Sequence, residues 1–409
     1  MIFASPVSFV NARVAADGRL AESLRFTSRI LSIGERPRRG DTVIDLQGGV
    51  VLPGLINAHD HLELNHYGRL KDRERYESAT EWIDDMRPRL SADRAIRDNR
   101  AHPLIERLFI GGLKNLLAGV TTVAHHNPFY RELRRTLPIR VVRRYGWAHS
   151  FLLERQPAGA RGEPGGDVAG RARATPADAP FLVHLAEGVD EAARGELPRL
   201  EALGCLKPNT VIVHGVAIDR DGWRRVAQAG GGLVWCPASN VFLFGRTANV
   251  RDLLDREDRL RTPGGEVALG TDSRITGSRD LLEELRAARE VMPVSPAELL
   301  GMVTSRAAVL LRQPRCGRIV VSAPADLLVL PALADEPAEA LLQADRHHVR
   351  MVTVQGRPLV GDADLAAVFQ ARRVTARPLR VDGTAKLADA GLVRRIAGCP
   401  IAEPGVALA

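Results

Sequence analysis

Six apolar runs between residues 119 and 273 decide the fold: GVTTVAHHNP (119–128), IRVVRRYGWAHS (139–150), FLVHLAEG (181–188), TVIVHGVAI (210–218), GGLVWCPASN (231–240) and EVALGTDS (266–273). Each is short and almost continuously apolar, as a strand covered on both faces must be. Longer stretches with helical spacing accompany them, among them LIERLFIGGLKNLLAG (104–119), DGWRRVAQAG (221–230) and LLEELRAAREVM (281–292). Strand then helix, repeated, predicts an α/β fold with a parallel sheet. The alternating region, residues 54–311, has about 260 residues, the size of a (β/α)8 TIM-like barrel.

The style changes on either side. Residues 1–53 read as short strands around turns, as in PVSFVNARVA (6–15), LRFTSRILSIG (24–34) and TVIDLQGGVVLPG (42–54). Residues 312–409 return to it in GRIVVSAPADLLVLPA (317–332) and HHVRMVTVQGRPLVGD (347–362). The two ends are expected to join into one small flanking β-sandwich domain. The segment 155–180, rich in Gly, Pro, Ala and Arg, is expected to be a mobile loop.

Composition narrows the function. Of 409 residues, 45% are hydrophobic and 26% charged, which excludes disordered and fibrous classes. The four cysteines (205, 236, 316, 399) form no CxxC pair, so neither a disulfide framework nor a thiolate zinc site is expected. The net charge is +8, yet only four of the 57 basic residues are lysine, which leaves 53 arginines interleaved with Asp and Glu. A nucleic-acid face would need those charges clustered on one element, so none is expected. No run approaches the roughly 20 apolar residues of a membrane span. The N-terminus lacks the basic start of a signal peptide, so a cytoplasmic location is expected.

The polar residues of interest fall at the C-terminal ends of the expected strands, where barrel enzymes place their chemistry. His59 and His61, in VVLPGLINAHDHLEL (50–64), stand at i and i+2 of an extended strand, so both imidazoles point the same way and can reach one metal ion. His184 ends FLVHL, and Glu187 follows it. Read alone, Glu187 is a helix-starting carboxylate. His214 ends TVIVH and needs a polar partner there. Asp272 follows VALGT, where a carboxylate is costly unless it is paired, bound to a cation or capping a helix. Together, imidazoles and a carboxylate without thiolate suit zinc or iron.

With these residues in place, the sequence resembles the amidohydrolase superfamily. More narrowly it resembles the aminohydrolase branch, which includes cytosine, guanine and adenosine-type deaminases and related chlorohydrolases. PGLINAHDHL (53–62) resembles the first-strand motif. HLAE (184–187), VIVHG (211–215), CPASN (236–240) and ALGTDS (268–273) resemble the later strands in order, and PADLLVL (324–330) with VTVQGRPLV (352–360) the C-terminal β segment. The resemblance implies one divalent metal ion, zinc with iron as the other choice, held by His59, His61, His184 and Asp272. It implies Glu187 as proton shuttle and His214 as the group that orients water or substrate and stabilises developing charge. Asp272 would also hydrogen-bond the attacking hydroxide.

Binuclear relatives usually bridge two metals with a carboxylated lysine at mid-barrel. No lysine lies between Lys114 and Lys207, so a single metal is expected, with Glu154 as the one conceivable bridge. The implied reaction is hydrolytic deamination of a small nitrogen heterocycle. Cleavage of an amide, lactam, urea-like or carbon–halogen bond is the alternative, and a metal-free scaffold that lost its chemistry the distant one. The resemblance also implies a homo-oligomer, a dimer.

Glu63, His66, His125, His149 and Asn240 are expected to line the substrate pocket, with Asn65, Tyr67, His126 and Ser239 nearby. His149 is read as the end of strand three, and Asn240 and Ser239 as the end of strand seven. Arg274 and Arg279 are candidates to meet an anionic group, Trp82 and Phe129 to stack on a flat ring. Three features depart from the deaminase pattern: Asp60 between the two histidines, the run SRITGSRD (273–280), and the lack of a recognisable fourth strand between His126 and His184.

Overall fold

The computed structural model describes residues 5–17, 19–134, 137–151, 167–256 and 264–408. The apolar runs of the middle region form parallel ladders. β1 (Leu55–Asp60), β2 (Val120–His125) and β3 (Arg140–Val141) make a three-stranded ladder with β2 at its centre. β4 (Gly146–Ala148), β5 (Phe181–Leu185), β6 (Thr210–His214), β7 (Gly232–Trp235) and β8 (Val267–Leu269) make a five-stranded one in chain order. Every residue of β1, β2 and β5 to β8 is buried. This is why these strands read as unbroken apolar runs and not as alternating ones.

The exit of β8 lies against β1. The Asp272 amide donates to the His59 carbonyl at 3.1 Å, and the Thr271 amide to Oδ1 of Asn57 at 3.1 Å. Glycine is required at position 270, where a Cβ would sit 2.6 Å from that of His59.

The run 139–150, read from sequence as one strand, is two strands in different ladders. Arg143 and Arg144 are exposed and interrupt it, and the chain re-enters the interior at Trp147. The missing fourth strand is therefore β4, hidden in the run assigned to the third, and His149 follows β4 instead of ending strand three. The segment 155–180 also differs from its expectation. Its described part carries helix Val168–Ala174, capped by Asp167, whose side chain accepts from the Gly170 amide at 2.7 Å. Glu154 and residues 155–166 lie outside the described residues.

Helices α1 (Ala79–Ala92), α2 (Leu104–Leu117), α3 (Glu191–Ala202), α4 (Arg220–Gln228), α5 (Pro237–Phe244) and α6 (Leu281–Val291) accompany the ladders. Asp190, Asp219 and Asp280 cap α3, α4 and α6 by accepting first-turn amides. The run CPASN does not extend β7. Pro237 opens α5 instead, so Ser239 and Asn240 sit on a helix.

Both chain ends build two mixed, mostly antiparallel sheets. Strands 7–10, 24–26, 30–33 and 42–45 form a four-stranded sheet. A nine-stranded sheet joins 13–16, 19–21 and 50–53 to strands from residue 327 onward, with Val50–Pro53 antiparallel to Leu327–Leu330. The two sheets share one core, Val7, Phe9 and Phe26 from the first meeting Val14, Leu327, Val329 and Met351 from the second. No described helix is long and apolar enough to cross a membrane.

Candidate metal centre and active site

Three of the strand exits converge. His59 lies in β1 with His61 just beyond it, His184 in β5, and Asp272 three residues past β8. Nε2 of His184 stands 3.2 Å from Nε2 of His59. Oδ1 of Asp272 stands 3.7 Å from Nε2 of His59 and 3.6 Å from Nε2 of His61. Its other oxygen accepts from Oγ of Ser239 and Oγ1 of Thr276, both at 2.8 Å, which aims Oδ1 at the imidazoles. All four residues are buried.

Burial, by penalising the charged form, lowers the pKa of His59, takes His61 down to about 4 and puts His184 well below the ordinary range. These are neutral imidazoles. Two ring nitrogens 3.2 Å apart suit two lone pairs directed at a shared cation. Ligands at about 2.0–2.1 Å from one ion stand roughly 3–4 Å from each other, so the donor set fits one divalent metal.

A second trio, His126, His149 and His184, also brings ring nitrogens together. His126 stacks nearly parallel on His184, with centroids 4.2 Å apart and planes at 12°. Parallel rings direct their lone pairs alongside each other and do not converge. Nε2 of His126 meets the Ala148 carbonyl at 2.8 Å, so this residue packs behind His184.

Glu187 and His214 face each other beside these side chains, with Oε1 and Nε2 3.5 Å apart. Burial pushes the Glu187 carboxyl up to about 7, with Asp272 adding to the rise and His214 opposing it. Nδ1 of His214 donates to Oδ1 of Asn240 at 2.8 Å, and the amide group of Asn240 is held in turn by Oγ1 of Thr247 at 3.0 Å. Ala186, His214 and Asp272 have φ of 54°, 73° and 51°, the left-handed region that side chains disfavour. Such strain persists where the surroundings enforce it. At Ala186 the enforcing group is Glu196, whose Oε2 accepts the Ala186 amide at 2.6 Å.

A cavity of about 330 Å³ opens onto these groups. Its polar lining includes His61, Glu63, His149, His184, Glu187 and Asp272, and Leu64, Trp82, Ile83 and Leu243 supply an apolar wall. Of the residues expected to contact substrate, Glu63 and His149 line it. Asn240 does not, since its amide is committed to His214. His66 turns away to the Asn99 carbonyl at 3.0 Å, and His125 sits behind Glu63, 3.7 Å from Oε2. Arg274 and Arg279 do not line this cavity either. Arg274 pairs with both oxygens of Glu403, and Arg279 with Asp382. Trp82 lines the cavity with its N–H on the Leu70 carbonyl, whereas Phe129 packs on the core. Sequence reasoning missed Glu196 and Thr276. It also missed Asn127, whose amide group reaches Oε1 of Glu63 at 2.5 Å and Nδ1 of His61 at 3.4 Å. Only the position of Asn127 after His125-His126 hinted at it.

Comparison with known proteins agrees with this geometry. Residues 171–359 match the profile of the amidohydrolase family. A 5-methylthioadenosine/S-adenosylhomocysteine deaminase of Syntrophobacter fumaroxidans is 28% identical, over 88% of this chain and 89% of its own. The Haloarcula marismortui protein of the same name is 27% identical over 71% and 75%. Among solved structures, a zinc-complexed atrazine chlorohydrolase from Arthrobacter aurescens superposes with a TM-score of 0.70 at 21% identity, over 90% of this chain and 99% of that one. A zinc-bound adenosine deaminase from Xanthomonas campestris gives 0.69 at 18% identity, over 90% and 96%. The chain therefore carries an amidohydrolase-family domain over residues 171–359, is similar along most of its length to the two deaminases, and shares its fold with the two zinc-bound structures.

Proposed function

We propose that the chain is a mononuclear metal-dependent hydrolase that deaminates a small nitrogen heterocycle. The observation that carries the reading is the convergence of three neutral imidazoles and one carboxylate at the edge of a closed-in cavity, with a second carboxylate, Glu187, across from them. His59, His61, His184 and Asp272 would hold the cation. The two parallel ladders would be arcs of one barrel spanning residues 54–311, with 1–53 and 312–409 as the flanking domain. The four free thiols support a cytoplasmic location.

A divalent ion held there supplies Lewis acidity, which lowers the pKa of water toward neutrality. The remaining steps belong to the chain. Asp272 accepts a hydrogen bond from the attacking water and orients it. Glu187, with its carboxyl near 7, takes the proton from that water and can release it again at working pH. The water oxygen bonds to an sp² carbon of the ring, and the electron pair of the C=N bond moves to the ring nitrogen. Glu187 delivers that proton to the ring nitrogen and then moves the second proton of the former water, now on the carbinol oxygen, to the exocyclic amino group; the C–N bond breaks as the C=O bond forms, and ammonia leaves. His214, fixed by Asn240, presents Nε2 to charge developing at the reacting carbon. Leu64, Trp82, Ile83 and Leu243 hold the ring and exclude bulk water.

The test is ammonia release from 5-methylthioadenosine, S-adenosylhomocysteine, adenosine, guanine and cytosine, the first two taken from the relatives' names. Release by the wild type with at least one, and its loss in Glu187→Gln, is expected. No ammonia from any, with cleavage of an amide or carbon–halogen substrate instead, would replace deamination by the alternative reading.

A further inference from the structure

Asp60 takes no part in the chemistry above. It lies between His59 and His61 in the extended chain, so its side chain leaves on the face opposite theirs. It is fully buried there and collects five donors. Oδ1 accepts from Nδ2 of Asn65 at 2.6 Å. Oδ2 accepts from Nδ2 of Asn115 at 2.8 Å, Nζ of Lys114 at 3.1 Å, Nδ2 of Asn57 at 3.2 Å and Oγ1 of Thr271 at 3.3 Å.

Lys114, on α2, is also fully buried. Besides Asp60, its ammonium reaches Oδ1 of Asn65 at 2.7 Å and Oγ1 of Thr271 at 3.0 Å, so its three N–H groups have three acceptors. These partners sit at particular places. Asp60 is the covalent neighbour of His59 and His61. Thr271 is the neighbour of Asp272, and its hydroxyl also lies 3.0 Å from the Asp272 carbonyl. One ammonium thus ties the β1 exit, the turn at Asn65 and the β8 exit to helix α2, from outside the cavity.

We propose that Lys114 is a positioning residue for the metal site: its ion pair with Asp60, joined through Thr271, sets the spacing between the two β1 histidines and Asp272. The proposal rests on the metal-site reading above. A buried pair kept only for stability would need no contact at the neighbours of three separate ligands. Partners behind the ligands of a metal site govern affinity in this way, with losses of about 10–100-fold on their removal.

The test measures zinc affinity by competition with a chromophoric chelator and, separately, the melting temperature of the zinc-free protein. Lys114→Met is expected to lower both, with zinc binding weakened about 10–100-fold. The double variant D60N/K114M buries no lone charge, so it should regain the melting temperature while zinc affinity stays low. Thr271→Val keeps both charges and its shape, and should weaken zinc about tenfold with little change in melting. If Lys114→Met does not fold, these last two variants decide. Zinc affinity within twofold of wild type in both, or recovery of affinity together with melting in the double variant, would reduce the pair to a structural one. A wild-type chain that takes up no zinc would overturn the metal-site reading and the proposal with it. Tight wild-type binding with unaffected variants overturns the proposal alone.

Discussion

The flanking sheets and the strand exits bury polar groups by opposite rules. In the flanking part each large buried charge is closed off by opposite charge. Nη1 of Arg346 meets Glu403 at 2.6 Å and Nη2 meets Asp382 at 2.9 Å, while Nζ of Lys386 meets Asp362 at 2.5 Å and two carbonyls at 2.8 Å. On the cavity side of the strand exits, imidazoles gather against one another. His59 contacts the rings of His61, His126, His184 and His214, and its Nε2 stands 3.2 Å from Nε2 of His184 and 3.7 Å from Oδ1 of Asp272. Buried polar groups are normally satisfied within the fold. The first pattern is therefore that of structure, and the second that of a site whose donors are turned toward a ligand. Net charge hides this difference, because it counts paired and unpaired side chains alike.

The contrast can be broken at several points. Glu187→Gln should keep the metal at wild-type stoichiometry and lose about 10²–10⁴-fold in turnover, the usual worth of a positioned acid–base group. Steady-state rates beside elemental analysis check both halves, and full activity would remove Glu187 from the mechanism. Arg346→Met should do the reverse. It takes one of two arginine partners from Glu403 and from Asp382, which keep Arg274 and Arg279, so it should cost about 1–3 kcal/mol by denaturant unfolding and leave metal content unchanged.

Glu196 sharpens the comparison through pH. Burial raises its carboxyl from 4.5 to about 8. The folded chain then binds this proton more tightly than the unfolded one, so the contribution is fully present below 4.5 and is lost as pH rises through 8. Glu196→Gln should match wild type near pH 5 and exceed it by a few kcal/mol, on the order of one pKa unit per 1.4 kcal/mol, above pH 8. Equal stability at both pH values would contradict a neutral buried Glu196. The smallest effect is expected at Asn240→Ala, which frees the His214 ring. It should lower kcat about tenfold, the low end for a supporting partner, with KM little changed.

How much of this the sequence disclosed depends on distance along the chain. The four converging residues were legible because each ends an apolar strand, where a histidine or aspartate is conspicuous. The parallel ladders were legible for the same reason. The fourth strand was not, since β4 has three residues and adjoins the exposed Arg143-Arg144 pair. The supporting residues were not legible either. Lys114 lies 54 positions from Asp60, Asn240 26 from His214, and Ser239 33 from Asp272. Local pattern carries no trace of such pairs, which exist only once the strand exits meet. For that reason Asn240 and Arg274 looked like substrate contacts from sequence and proved to be partners of other side chains.

Metal content per chain, measured on protein purified without chelator, tests the central claim most directly. One zinc or iron per chain is the predicted result, falling to none in His184→Ala. No bound metal after supplementation, or two ions per chain, would contradict a single cation held by His59, His61, His184 and Asp272.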